Sequence, residues 1–134
     1  MNPIFCDTSG FYALIDASES QHPIAAAAWE RMICDRHRLV TSNYVITETL
    51  AVTQARIGVR AVRALLERIE DFVEVAWIDR ALHEDALRQL LSHDRRHRSF
   101  VDCTSFALMR RHRIVEAFAV DADFKEHGFT LFQG

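Results

Sequence analysis

Glycine and proline are scarce, at four and two in 134 residues. Such a chain has few built-in breaks, which predicts a domain made mostly of regular helices and strands. Cysteine is scarce too. Cys6, Cys34 and Cys103 are odd in number and lack metal-type spacing, which excludes a disulfide scaffold and predicts reduced core thiols of a cytoplasmic protein. No apolar run approaches the roughly 18 residues of a membrane span. The opening MNPIFCDTSG has no basic region ahead of an apolar core, so no secretory leader is expected. Repeats and low-complexity runs are absent. Lysine is nearly absent: of sixteen basic residues only Lys125 is not arginine. The formal charge of -3 argues weakly against a nucleic-acid partner, which usually asks for a basic face. The arginines nevertheless cluster, in DRHR at 35–38, DRRHR at 94–98 and RRHR at 110–113. Arginine is the better phosphate fork, although solvated helix ends account for such clusters equally simply.

What is present is a 49% hydrophobic chain, enough for one compact domain spanning 1–134. PIFC (3–6) reads as a short buried strand, DTSG as a turn and FYALID (11–16) as a short helix. In HPIAAAAWERMICDRH, Ala25, Ala28, Trp29, Met32 and Ile33 stand at helical spacing, with Pro23 suited to the first turn. LVTS (39–42) is a second strand, and Ser42 or Asn43 can cap the helix YVITETLAVTQARI. Gly58 breaks it, and Val59, Val62, Leu66 and Ile69 mark another helix. FVEVAWI (72–78) is a third strand. Asp79 caps a helix carrying Leu82, Ala86, Leu90 and Leu91. Ser99 caps the helix of SFVDCTSFALM, EAFAV (116–120) is a fourth strand, and TLF (130–132) an edge strand. Short apolar strands alternating with amphipathic helices predict an α/β domain with a mainly parallel sheet of four or five strands flanked by helices.

In parallel α/β sheets, sites form beyond the carboxyl ends of the strands. Asp7 follows the first strand, Asp121 the fourth, and Asp123 comes two residues later. Glu48 is near the start of the helix after LVTS, and Asp102 is in the first turn of the helix leading into the fourth strand. Each acid also has a purely structural account. Asp7 and Asp121 suit strand-ending turns. Glu48 shares an apolar helix face with Tyr44 and Val52. Ser99-Phe-Val-Asp102 is a capping pattern, and the charge suits a helix N-terminus. If the four converge, two carboxylates about 4 Å apart repel by about 4 kcal/mol at an effective dielectric near 20. Such a cluster binds protons or a cation. A ligand set of carboxylate oxygens alone selects a hard ion, Mg²⁺ or Mn²⁺. His93 and His97, four apart among arginines, read as surface residues.

IFCDTSGFYALID, TSNYVITETLA, SFVDCTSFALMRR and AFAVDADF resemble, in order, the four motifs of the PIN domain. They are most similar to VapC-type toxin ribonucleases of bacterial toxin–antitoxin pairs. The resemblance runs from residue 4 to residue 124 and implies a parallel sheet flanked by helices. It implies that Asp7, Glu48, Asp102 and Asp121 are the catalytic acids. Asp7 and Asp102 are then the main ligands of one or two Mg²⁺ or Mn²⁺ ions. Asp121 serves a second ion or acts through water, and Glu48 orients the attacking water or completes the shell. Asp123, Thr8 and Ser99 match supporting positions. The implied activity is hydrolytic endonuclease cleavage of single-stranded or looped RNA, with Arg95, Arg96, Arg98, Arg110 and Arg111 available for flanking phosphates. The implied partners are a cognate antitoxin whose C-terminal segment covers the site and a second copy in a homodimer. Phe11, Tyr12 and Leu14 either line that groove or are core. The rivals are a housekeeping RNA-processing nuclease, a non-catalytic RNA- or protein-binding module, and a small-molecule phosphohydrolase. The last often carries a second Asp two residues after its nucleophile, where this chain has Ser9.

Overall fold

The computed structural model describes residues 2–92 and 98–132. Five strands form one sheet in the order β3-β2-β1-β4-β5, and every neighbouring pair is parallel. In chain order the elements are β1 (Ile4–Cys6), α1 (Thr8–Ile15), α2 (His22–Cys34), β2 (Leu39–Ser42), α3 (Asn43–Ile57), α4 (Val59–Phe72), β3 (Val73–Ala76), α5 (Arg80–Leu91), α6 (Phe100–His112), β4 (Glu116–Phe118), α7 (Asp123–Glu126) and β5 (Thr130–Leu131). The expected α/β domain is what the chain forms, and of the four or five strands expected in a mainly parallel sheet, five are present and all are parallel.

The strand order explains where a crevice opens. The chain lays down β1, builds outward through β2 to β3, then returns to place β4 on the other side of β1. Helices leaving β1 and β4 therefore diverge at the carboxyl ends of this central pair, the usual place for a site in an open α/β sheet. Both strands are too short to reach far. β1 is wholly buried, and Phe5 faces Ala117 of β4 in register. Around them Ile4, Phe11, Met32, Leu65, Phe106, Leu108 and Phe124 form a core with essentially no exposed surface.

Local chemistry sets the helix starts. Ser42 accepts a hydrogen bond from the Val45 amide at 3.0 Å and Asp79 one from Leu82 at 2.9 Å, each satisfying an amide that the first turn leaves without an intrahelical partner. Asn43, the alternative cap, instead accepts from the Ile78 amide at 2.7 Å and ties α3 to the end of β3.

Several expectations are corrected. The turn at DTSG does not form, because Asp7 is itself an N-cap and α1 begins at Thr8. The third strand is Val73–Ala76 only; Phe72 ends α4, and Trp77 is 73% exposed. The buried face of α4 is Leu65 and Ile69, while Val59, just after the Gly58 break, lies 54% exposed. β4 stops at Phe118, so Asp121 stands three residues past it, and the short α7 was not anticipated. Cys34, the last residue of α2, is exposed, unlike Cys6 and Cys103. Phe11 and Leu14 are core. His93 and His97 lie outside the described residues.

Candidate active site

Asp7 is the N-cap of α1, 3% exposed. One carboxylate oxygen, Oδ2, accepts from the Ser9 amide at 3.1 Å and the Ser9 hydroxyl at 2.7 Å. The other, Oδ1, is buried without a hydrogen-bond partner. The Ser9 oxygen in turn accepts from the Val120 amide at 3.1 Å, so one hydroxyl joins the start of α1 to the segment after β4. Burial pushes the Asp7 carboxyl up to about 6, against the lowering effect of the Ser9 hydrogen bonds and with a further upward push from the Glu48 charge.

Asp102 is both cap and site residue. The Asp102 amide donates to the Ser99 hydroxyl at 3.0 Å, and Asp102 Oδ2 accepts from the Ser99 amide at 3.4 Å, a complete capping box. The side chain is nevertheless only 9% exposed, and its carboxyl is pushed up to about 7. Burial is the largest cause, followed by the charge of Asp7 and, more weakly, those of Asp121 and Glu48. Four acids from four separate segments thus act on one another through space.

They line an open pocket of about 390 Å³, together with Thr8, Ser9 and Ser99. Asp121 lies on the turn into α7, where its Oδ1 accepts from the Asp123 amide at 3.0 Å. Asp102, Asp121 and Asp123 each offer an oxygen within 4.8 Å of the others. The residues fit a hard divalent cation. Asp7, Glu48, Asp102 and Asp121 offer carboxylate oxygens, no His or Cys lines the pocket among the described residues, and a buried oxygen on Asp7 has no donor. An ionised carboxylate in that position demands a proton or a cation.

The supporting hydroxyls are placed beside the acids. Thr8 Oγ1 lies 3.0 Å from Thr49 Oγ1 of α3, fixing the first turn of α1 against the helix that carries Glu48. The arginines are not gathered there. Arg110 and Arg111 sit at the other end of α6 from Asp102, about 12 Å along an axis that rises about 1.5 Å per residue. Arg111 pairs with Asp79 at 2.8 Å, and Arg110 lies over the Phe129 ring. Arg98 precedes the Ser99 cap and acts on the Cys103 thiol, drawing its pKa down against the raising effect of burial. Arg95 and Arg96 lie outside the described residues. The pocket also holds Glu19 and Arg56, which the sequence alone does not mark, together with Ser9 and with Tyr12, which is buried yet lines the pocket, unlike Phe11 and Leu14. Only Ser9 carried a local signal, since an N-cap Asp with Ser two residues on is a self-closing turn.

Carboxylates converging where the order of a parallel sheet reverses make a site suited to metal-assisted phosphoryl chemistry, and the family match narrows that class to nucleases. The chain belongs to the PIN-domain family, which its residues 4–130 match, and within that family to the VapC-type toxins. It is 40% identical over 128 residues, 95% of each chain, to the 23S rRNA-specific endonuclease VapC20 of Mycobacterium tuberculosis, in both strain CDC 1551 / Oshkosh and strain ATCC 25618 / H37Rv. The crystal structure of Mycobacterium tuberculosis VapC20, described as a sarcin-ricin loop cleaving toxin, superposes with a TM-score of 0.83 at 38% identity. It covers 95% of this chain and 96% of that one.

Proposed function

We propose that this protein is a metal-dependent endoribonuclease that hydrolyses a phosphodiester in an exposed loop of ribosomal RNA, as the toxin of a type II toxin–antitoxin pair. The observation that carries this reading is the convergence of Asp7, Glu48, Asp102 and Asp121 on one open pocket. The ribosomal target rests on the 23S rRNA specificity and sarcin-ricin loop cleavage named for the relatives. Those names also favour a toxin over a housekeeping nuclease.

Asp7, Asp102 and Asp121 would hold Mg²⁺ or Mn²⁺, with Asp123 as a further oxygen donor. When bound, the ion supplies an acidified water and neutralises charge on the phosphoryl oxygens. The chain's own groups do the positioning. Ser9 holds Asp7 through two hydrogen bonds to Oδ2, which leaves Oδ1 without a partner. Ser99 fixes the Asp102 carboxylate through the helix cap. Glu48 would orient the attacking water or complete the metal shell. Thr8 locks α1 to α3 and so sets the spacing between Asp7 and Glu48. The partners proposed are a VapB-like antitoxin covering this pocket and a second copy of the chain. Among the described residues no helix is long and apolar enough to cross a membrane, and a cytoplasmic site of action is part of the proposal.

The test is incubation of the purified protein with intact ribosomes and with a 23S rRNA loop oligonucleotide. Cleavage is expected with Mg²⁺ or Mn²⁺ and should stop in excess EDTA. Cleavage that persists in EDTA overturns the metal assignment, and cleavage confined to other RNAs overturns the target.

A further inference from the structure

Five carboxylates line the pocket, Asp7, Glu19, Glu48, Asp102 and Asp121, against one guanidinium, that of Arg56, among the described residues. RNA is a polyanion. A pocket of this composition repels every phosphate except the one brought directly against a bound cation. The nucleotides beside the scissile bond therefore need a positive group at the pocket wall. The arginine clusters at 110–113 do not provide it, because Arg110 and Arg111 stand at the far end of α6 and Arg111 is engaged with Asp79. We propose that Arg56 holds a phosphate flanking the scissile bond, with Tyr12 as the platform that presents it. The inference rests on the reading of this pocket as an RNA-cleaving site.

The geometry supports a presented side chain rather than a chance surface residue. Arg56 is in the last turn of α3, two helical turns beyond Glu48, and both line the same pocket. Eight residues of helix separate them by about 12 Å along the axis, so Arg56 serves a neighbouring phosphate and not the one at the acids. Its Cζ lies 5.1 Å from the centre of the Tyr12 ring, within cation–π range. That ring is only 8% exposed, and its hydroxyl donates to Asp16 Oδ2 at 2.6 Å. The Arg56 side chain also hydrogen-bonds the Tyr12 phenol; the fixed ring limits its rotamers, and the guanidinium's other N–H groups are those that would meet a phosphate. Among the described residues no ion pair with a carboxylate occupies Arg56.

The test is steady-state cleavage of the RNA loop oligonucleotide in Mg²⁺ across a range of KCl, for wild type, Arg56→Gln and Arg56→Lys. Arg56→Gln should raise KM on the order of tenfold at low salt with kcat within about twofold. It should also flatten the log KM against log salt slope by about 0.7, the loss of one phosphate contact on a single strand. Arg56→Lys should keep the slope and recover part of the KM, because charge returns without the fork. An unchanged KM and slope in Arg56→Gln, with an unchanged thermal melt, overturns the inference while leaving the nuclease reading intact. So does a fall in kcat at constant KM, which places Arg56 at the reacting phosphate. Wild-type protein that cleaves no RNA in Mg²⁺ or Mn²⁺ overturns both.

Discussion

At the scale of single residues, Asp102 completes a helix cap and lines the pocket, and the proposed metal role asks more of it than the cap does. As a cap it needs only a hydrogen-bond acceptor, which an asparagine supplies; as a ligand it needs a charge, which an asparagine lacks. Asp102→Asn is therefore expected to keep the fold and to lose cleavage by more than the roughly 10–100-fold that outer-shell partners of a metal cost. Circular dichroism together with an RNA cleavage assay measures both. Asp7 and Asp102 also tie stability to pH. Their carboxyls, at about 6 and about 7, lie above the ordinary 3.8, so the folded protein holds protons that the unfolded chain has already released. That contribution is complete at the acid end and is lost as pH rises through 6 and 7. In EDTA the melting temperature should fall between pH 5 and pH 8. Mg²⁺ should restore it at pH 8 by replacing the protons, and Asp102→Asn should show a smaller fall. A wild-type melting temperature in EDTA that does not fall over that range contradicts the cause assigned here.

At the scale of elements, the start of α1 and the first turn of α6 aim Asp7 and Asp102, and the packing behind them holds that aim. Gly10 sits where a Cβ would come within 2.4 Å of the Phe118 carbonyl oxygen of β4 and 2.8 Å of the Phe118 ring. Gly10→Ala must move α1 away from β4 and carry Asp7 with it. Activity should drop together with stability, and a melt alongside a cleavage assay reports both. Phe106, on α6 one turn beyond Asp102, is fully buried between Phe124, Phe129 and His127, with ring centroids 4.3–5.6 Å away. Phe106→Ala leaves a cavity and should cost about 3–5 kcal/mol in a denaturant titration. The two changes differ in kind. One displaces a pocket acid through backbone collision, and the other loosens the helix that carries a pocket acid.

At the scale of the whole molecule, expression of the wild-type chain in bacterial cells should arrest growth, and Asp7→Ala should relieve the arrest at equal protein level. Plating efficiency decides this. The same scale separates what could be read in the chain from what could not. Strands, caps and the four acids were legible because each depends on its neighbours in sequence: Asp7 at a strand end, Ser99 three residues before Asp102, Ser42 before α3. Arg56 was not, since its place at the pocket depends on how α3 crosses α1 and on a Tyr12 ring 44 positions away. The face of α4 was misjudged for a similar reason. Periodicity fixes a stripe, but packing against the rest of the fold decides that Leu65, not Val59, turns inward. Arg110 and Arg111 look close to Asp102 in sequence, yet a helix converts eight residues into about 12 Å of separation.

The hydrogen bond from the Val120 amide to the Ser9 hydroxyl spans 111 residues. Its consequence lies in time as well as space. A ribosome making this chain releases Asp7 early, but the pocket has no closed rim until β4 slots in beside β1 and Val120 reaches Ser9. A nascent chain that has not yet delivered residues 116–121 has neither β4 nor Asp121. The four-acid pocket is thus among the last parts of the described fold to be completed, although Asp7 is among the first of its residues to be made.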